Sequence, residues 1–71
     1  MNWTIRRDGK KVFIDGQGMD GCGAIIEVGD NRKISLYEIP LYEGTPQFSG
    51  IFDNIIEAME KAESWTSGGC K

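Results

Sequence analysis

The chain has 71 residues, 39% of them apolar and 27% charged, and a net charge of −3. This describes one small folded domain rather than a disordered chain or several domains. The acidic balance argues against general nucleic-acid binding, which depends on neutralising phosphates, and no apolar run approaches membrane-spanning length.

Residues 2–15 read NWTIRRDGKKVFID. Asp8-Gly9 between two alternating runs predicts a β-hairpin with a two-residue loop. On that loop Arg7 faces Lys10, Arg6 faces Lys11, Ile5 faces Val12, Thr4 faces Phe13 and Trp3 faces Ile14. Trp3, Ile5, Val12 and Ile14 then share the core face. Thr4, Arg6, Lys11 and Phe13 share the other, where a large aromatic flanked by basic groups is either covered by the rest of the chain or open to a partner.

Residues 16–23, GQGMDGCG, carry four glycines in eight positions, a density that predicts a loop. AIIEVG (24–29) reads as a third strand and KISLYEI (33–39) as a fourth, separated by Asp30-Asn31 as turn formers. Ile34 and Leu36 point to the core. Pro40 ends regular pairing, Leu41-Tyr42 continues extended, and residues 43–46 make a second turn. Gln47-Phe48-Ser49 reads as a short fifth strand.

The stretch from Phe48 to Trp65 organises the chain. At about 100° per residue, Ile51, Ile55, Ala58, Met59, Ala62 and Trp65 fall on one side and Asp53, Glu57, Glu60, Lys61 and Ser64 on the other. The pattern predicts an amphipathic helix from about Asn54, with Asp53 as N-cap and Glu57–Lys61 as a favourable i,i+4 pair. The expected fold is α+β: an antiparallel meander of four or five strands with one C-terminal amphipathic helix packed on one face. Residues 1–66 form the domain and 67–71 a flexible tail. Trp3, Ile5, Val12, Ile14, Ile26, Val28, Ile34 and Leu36 should meet Ile55, Met59, Ala62 and Trp65. The opposite sheet face, with Phe13, Ile25, Tyr37 and Ile39, is too apolar for plain solvent surface.

Little chemistry can be assembled from these residues. Gly16, Gly18 and Gly21 match the spacing of a dinucleotide-binding loop, but the segment after them is β-like and the chain is too short for that fold. The chain has no histidine and only two cysteines, Cys22 and Cys70, so neither a metal site nor the usual base for a nucleophile is expected. No cofactor is expected. The start of the chain lacks a secretory signal, which predicts a cytoplasmic protein with two free thiols; a Cys22–Cys70 disulfide stays open as an alternative.

Phe48-Ser49-Gly50-Ile51-Phe52, followed by Glu57-Ala58 and Ala62, resembles the strand-to-helix segment of three-stranded-sheet-plus-helix domains such as plant AP2-type DNA-binding domains and integrase arm-binding domains. The basic and aromatic sheet residues of those domains correspond loosely to Arg6, Lys11 and Phe13. In size and acidity the whole chain also resembles small accessory proteins of phages and mobile elements, including anti-CRISPR and other anti-defence proteins. That resemblance implies action by occluding a host protein, in the host cytoplasm if phage-encoded.

The residues therefore favour a non-enzymatic binding or inhibitor protein acting on a protein partner. One candidate surface is the open sheet face, with Phe13 and Tyr37 as anchors and Arg6 and Lys11 at the rim. The other is the acidic helix face, with Asp53, Glu57, Glu60 and Glu63 for a basic surface that normally holds nucleic acid. A homodimer is expected, because self-pairing would cover the open face. The alternative is a nucleic-acid or nucleotide binder using the sheet face and the Gly16–Gly23 loop.

Overall fold

Five strands pair in sequence order, each antiparallel to the next, and one helix follows them. The strands are β1 (Asn2–Asp8), β2 (Lys11–Gln17), β3 (Gly23–Val28), β4 (Ile34–Ile39) and β5 (Gln47–Phe52), and the helix is α1 (Ile55–Ser67). The source is a computed structural model, which describes residues 1–18, 22–29, 33–40 and 44–67. Leu41-Tyr42, the Asp30-Asn31 turn, Gly21, Cys70 and the end of the expected tail lie outside the described residues. This is the α+β meander with a C-terminal helix that the alternation implies. No helix among the described residues is long and apolar enough to cross a membrane.

The first hairpin turns one position later than Asp8-Gly9 suggests. Asp8 pairs with Lys11, Arg7 with Val12, Arg6 with Phe13 and Ile5 with Ile14, so the loop is Gly9-Lys10. Gly9 has φ 64°, the left-handed conformation that glycine adopts without steric cost. The expected pairing is therefore displaced by two residues. Because side chains alternate with period two, that displacement leaves every residue on its expected face.

The glycine-rich stretch is shorter as a loop than its composition implies. β2 runs through Gly16 to Gln17, and Gly16 pairs with both Trp3 and Ala24. Gln17 pairs with Gly23, and the Gly18 amide donates to the Cys22 carbonyl at 2.9 Å. Cross-strand neighbours supply the packing that these glycines lack, so the ladder persists where composition predicts none.

Register and alternation give the sheet two distinct faces. Three inner rows run across it: Trp3–Gly16–Ala24–Glu38–Gln47, Ile5–Ile14–Ile26–Leu36–Gly50 and Arg7–Val12–Val28–Ile34–Phe52. Ile14, Ala24, Ile26, Ile34 and Leu36 are buried against Ala58 and Ala62 of α1, and Met1, Trp3, Phe52, Ile55 and Met59 pack around them. Two alanines on the buried stripe let the helix backbone approach the sheet closely. A leucine as enclosed as Leu36 typically costs about 2–5 kcal/mol when truncated to alanine.

The helix differs from expectation in three ways. Ile51 belongs to β5, not to the helical stripe. Asn54, not Asp53, is the N-cap: its Oδ1 accepts the Glu57 amide at 2.8 Å, a contact of a kind worth about 1 kcal/mol. The Glu57–Lys61 pair is not among the ion pairs of the described residues. α1 extends to Ser67 and lies over β3, β4 and β5; Ile14 of β2 is still buried in the same cluster, but β1 lies at the margin. Ile5, expected in the core, is 68% exposed for that reason.

Cys22 is a correction to the expectation of free thiols. It is buried and disulfide-bonded.

Candidate functional site

The outer sheet face carries the rows Thr4–Asp15–Ile25–Tyr37–Phe48 and Arg6–Phe13–Glu27–Ser35–Ile51, with a shorter row, Asn2–Gln17–Gly23–Ile39, at one end. No described element lies over them. A β-bulge puts Phe48 there. The β4–β5 register shifts between Leu36 and Tyr37, so that Leu36 pairs with Gly50 and Tyr37 with Phe48. Ser49 is the extra residue. Phe48 and Ile51 are three apart and would face opposite sides of a regular strand; the bulge turns both outward. They are 60% and 58% exposed.

The face divides into a charged half and an apolar half. On β1–β3, Arg6 Nε donates to Asp15 Oδ2 at 3.1 Å and Lys11 Nζ lies 3.4 Å from Glu27 Oε2. The Arg6 guanidinium also lies over the Phe13 ring, 4.5 Å from its centroid. Its pKa is raised above the ordinary value, chiefly by the hydrogen bond to Asp15, against some desolvation, with the charges of Asp15 and Asp8 adding to it. On β3–β5, Tyr37 and Phe48 meet edge to face, with centroids 5.8 Å apart and planes at 67°. Aromatic pairs of this geometry contribute about 0.5–1.5 kcal/mol beyond their area burial. Ile25, Ile39 and Ile51 surround them.

Arg6, Lys11, Phe13 and Tyr37 thus all lie on the outer face. Arg6 and Phe13 touch; Tyr37 lies two strands from Phe13 and stacks on Phe48 instead. Asp53, Glu57, Glu60 and Glu63 are exposed on α1 and the turn before it, on the opposite side of the sheet. The two candidate surfaces are back to back and do not form one site. The reading of the sequence missed Phe48 and Ile51, which only the bulge brings to this face. It also missed the acids Asp15 and Glu27. Alternation places both on the outer face, but only the pairing of β1, β2 and β3 sets them beside the basic residues.

The paired acids change what the face can bind. Arg6 and Lys11, the basic residues expected on this face, each already have a carboxylate neighbour, so they offer no concentrated positive field. A concavity of about 630 Å³ at the far end of the same face is lined by Arg6, Asp15, Gln17, Gly23, Ile25 and Ile39, among others. It opens where Gly23 contributes no side chain. Among the described residues that line it, the charges of Arg6 and Asp15 cancel. No family model, curated protein or solved structure matches the chain.

Proposed function

We propose that this chain is a non-enzymatic binding protein that occludes or modulates a partner protein through its outer sheet face. The carrying observation is the Tyr37–Phe48 pair beside Ile51, on a face that no described element covers. Exposed aromatic anchors are a usual energetic centre of protein interfaces. The neutralised cations of that face favour a protein over nucleic acid. The acidic side of α1 is the second surface, suited to a basic partner. An inhibitor of a host defence system, encoded by a phage, is the biological role that agrees with the chain's size and acidity.

The test is affinity capture from lysate of the source cell with wild-type protein, a Tyr37→Ser/Phe48→Ser variant and a Glu57→Lys/Glu60→Lys variant. The expected result is a protein retained by the wild type and the helix variant and lost by the sheet variant. Retention by the sheet variant would move the site to α1. Tight, steeply salt-dependent binding of single-stranded RNA or DNA in a parallel anisotropy titration would replace this reading with nucleic-acid binding.

A further inference from the structure

One end of the outer face is hollow. The row Asn2–Gln17–Gly23–Ile39 crosses it there, and Gly23 leaves a gap between Gln17 and Ile39 where each neighbour supplies a side chain. A β-carbon on Gly23 would stand 3.2 Å from the Gly16 carbonyl oxygen and 3.5 Å from Ile39 Cδ1, so a side chain is unwelcome and the floor is bare backbone. The concavity of about 630 Å³ includes that floor. Its size falls within the range of about 300–1,000 Å³ that small-molecule sites occupy. Ile25 and Ile39 form an apolar wall, Arg6 and Asp15 a polar one.

The polar wall is only partly used. Arg6 Nε donates to Asp15 Oδ2 at 3.1 Å, and the guanidinium lies over the Phe13 ring, 4.5 Å from its centroid. These two contacts hold its plane. Among the described residues no hydrogen bond engages the two terminal nitrogens of Arg6, so most of its donor fork is unspent. Asp15 has acceptor capacity to match. A carboxylate accepts up to about four hydrogen bonds, and Oδ1 is buried without a partner. The 34% exposure of the Asp15 side chain therefore leaves Oδ2 as the oxygen a ligand reaches. An acceptor and a donor fork stand side by side at the rim of the hollow.

We propose that this concavity binds a small, flat, uncharged ligand that carries an N–H beside a carbonyl, as in a primary carboxamide or the lactam of a nucleobase. The ligand N–H donates to Asp15, and its carbonyl accepts from the terminal nitrogens of Arg6. Charge selects the class. A carboxylate or phosphate meets Asp15, an ammonium meets Arg6, and a hydrocarbon desolvates both without replacing their water. Flatness follows from the floor, because a ring can lie against Gly23 where a β-carbon would hold it off. Tyr37 and Phe48 take no part in the lining, so this site is separate from the aromatic surface proposed for a protein partner.

Proton–nitrogen correlation spectra of the labelled protein, titrated with nicotinamide and with inosine, test this. N,N-Diethylnicotinamide and 1-methylinosine lack the N–H and are the matched controls; benzoate and benzylamine are the charged ones. The expected shifts group at residues 15–18, 22–25 and 39, with a dissociation constant of about 1 mM or lower for at least one of the two ligands. Binding should weaken at least about tenfold for the N-alkylated control and in Arg6→Met and Asp15→Ala, and stay unchanged in Phe48→Ser. Binding of nicotinamide alone identifies a carboxamide, and of inosine alone a nucleobase; either supports the proposal. Arg6 and Asp15 lie outside the buried core, and circular dichroism verifies that each variant is folded. Absence of shifts with both ligands at about 10 mM overturns the proposal. So does binding indifferent to N-alkylation or to both polar substitutions, binding lost in Phe48→Ser, or a preference for benzoate or benzylamine.

Discussion

The indole of Trp3 lies across Gly16, its directly paired neighbour, so closely that a β-carbon on Gly16 would stand 2.6 Å from Trp3 Cζ3 and 2.6 Å from Met1 Sδ. The Met1 side chain can swing away, but the ring is held by the core cluster against which it packs. Gly16→Ala should therefore destabilise the protein by about 1–3 kcal/mol, the usual cost of overpacking. Urea unfolding of Gly16→Ala, Trp3→Ala and the double variant checks it. The two substitutions should be strongly non-additive, the second costing much less once the ring is gone. Strict additivity would mean that the ring does not set the requirement for glycine.

Reduction should weaken the fold. Cys22 is 2% exposed and disulfide-bonded immediately before β3, and a disulfide in a small domain typically contributes about 2–4 kcal/mol. A strong reductant should lower the thermal midpoint by roughly 8 °C or more in a chain of this size. Identical melts with and without reductant would show that the bond adds nothing. In a reducing compartment the protein would have to fold without this contribution, which sets the disulfide against the cytoplasmic expectation.

Glu38 sits on the inner face between Ala24 and Gln47, and its Oε2 is buried without a partner. An unsatisfied buried acceptor costs about 1–3 kcal/mol. Glu38→Leu should therefore raise the urea midpoint, by the equivalent of about 1 kcal/mol. A fall instead would mean that the carboxylate is satisfied in solution, by water or by relaxation of its neighbours.

Much of this fold is legible in the residues because binary patterning sets the faces whatever the exact turn. The first hairpin shows this: the turn lies one position beyond Asp8-Gly9, yet Ile14 is buried and Phe13 outward as alternation requires. What patterning could not supply were the features that depend on contacts between distant residues. The strand character of Gly16 depends on Trp3, thirteen positions earlier. The outward turn of Phe48 depends on a bulge opposite Tyr37, and Ser49 carries no mark of it. Where α1 comes to rest across the sheet is a matter of fit, and that placement leaves Ile5 exposed. For the candidate site, the anchors Phe13 and Tyr37 and the cations Arg6 and Lys11 could be read from local pattern. The neutralisation of those cations could not be seen until β1, β2 and β3 were set side by side.

The bulge at Ser49 also governs how the sheet ends. The β1 edge carries Arg6, Arg7 and Asp8, charges that discourage another chain from adding to the ladder. The β5 edge, QFSGIF, carries none, and a short uncharged segment with two outward apolar side chains is the kind of strand that seeds fibrils. The extra residue breaks the regular spacing of amide and carbonyl groups along that edge and bends it, so a straight incoming strand cannot match it over its full length. One serine out of register thus makes the edge a poorer template for edge-to-edge pairing, at the same position that turns Phe48 outward.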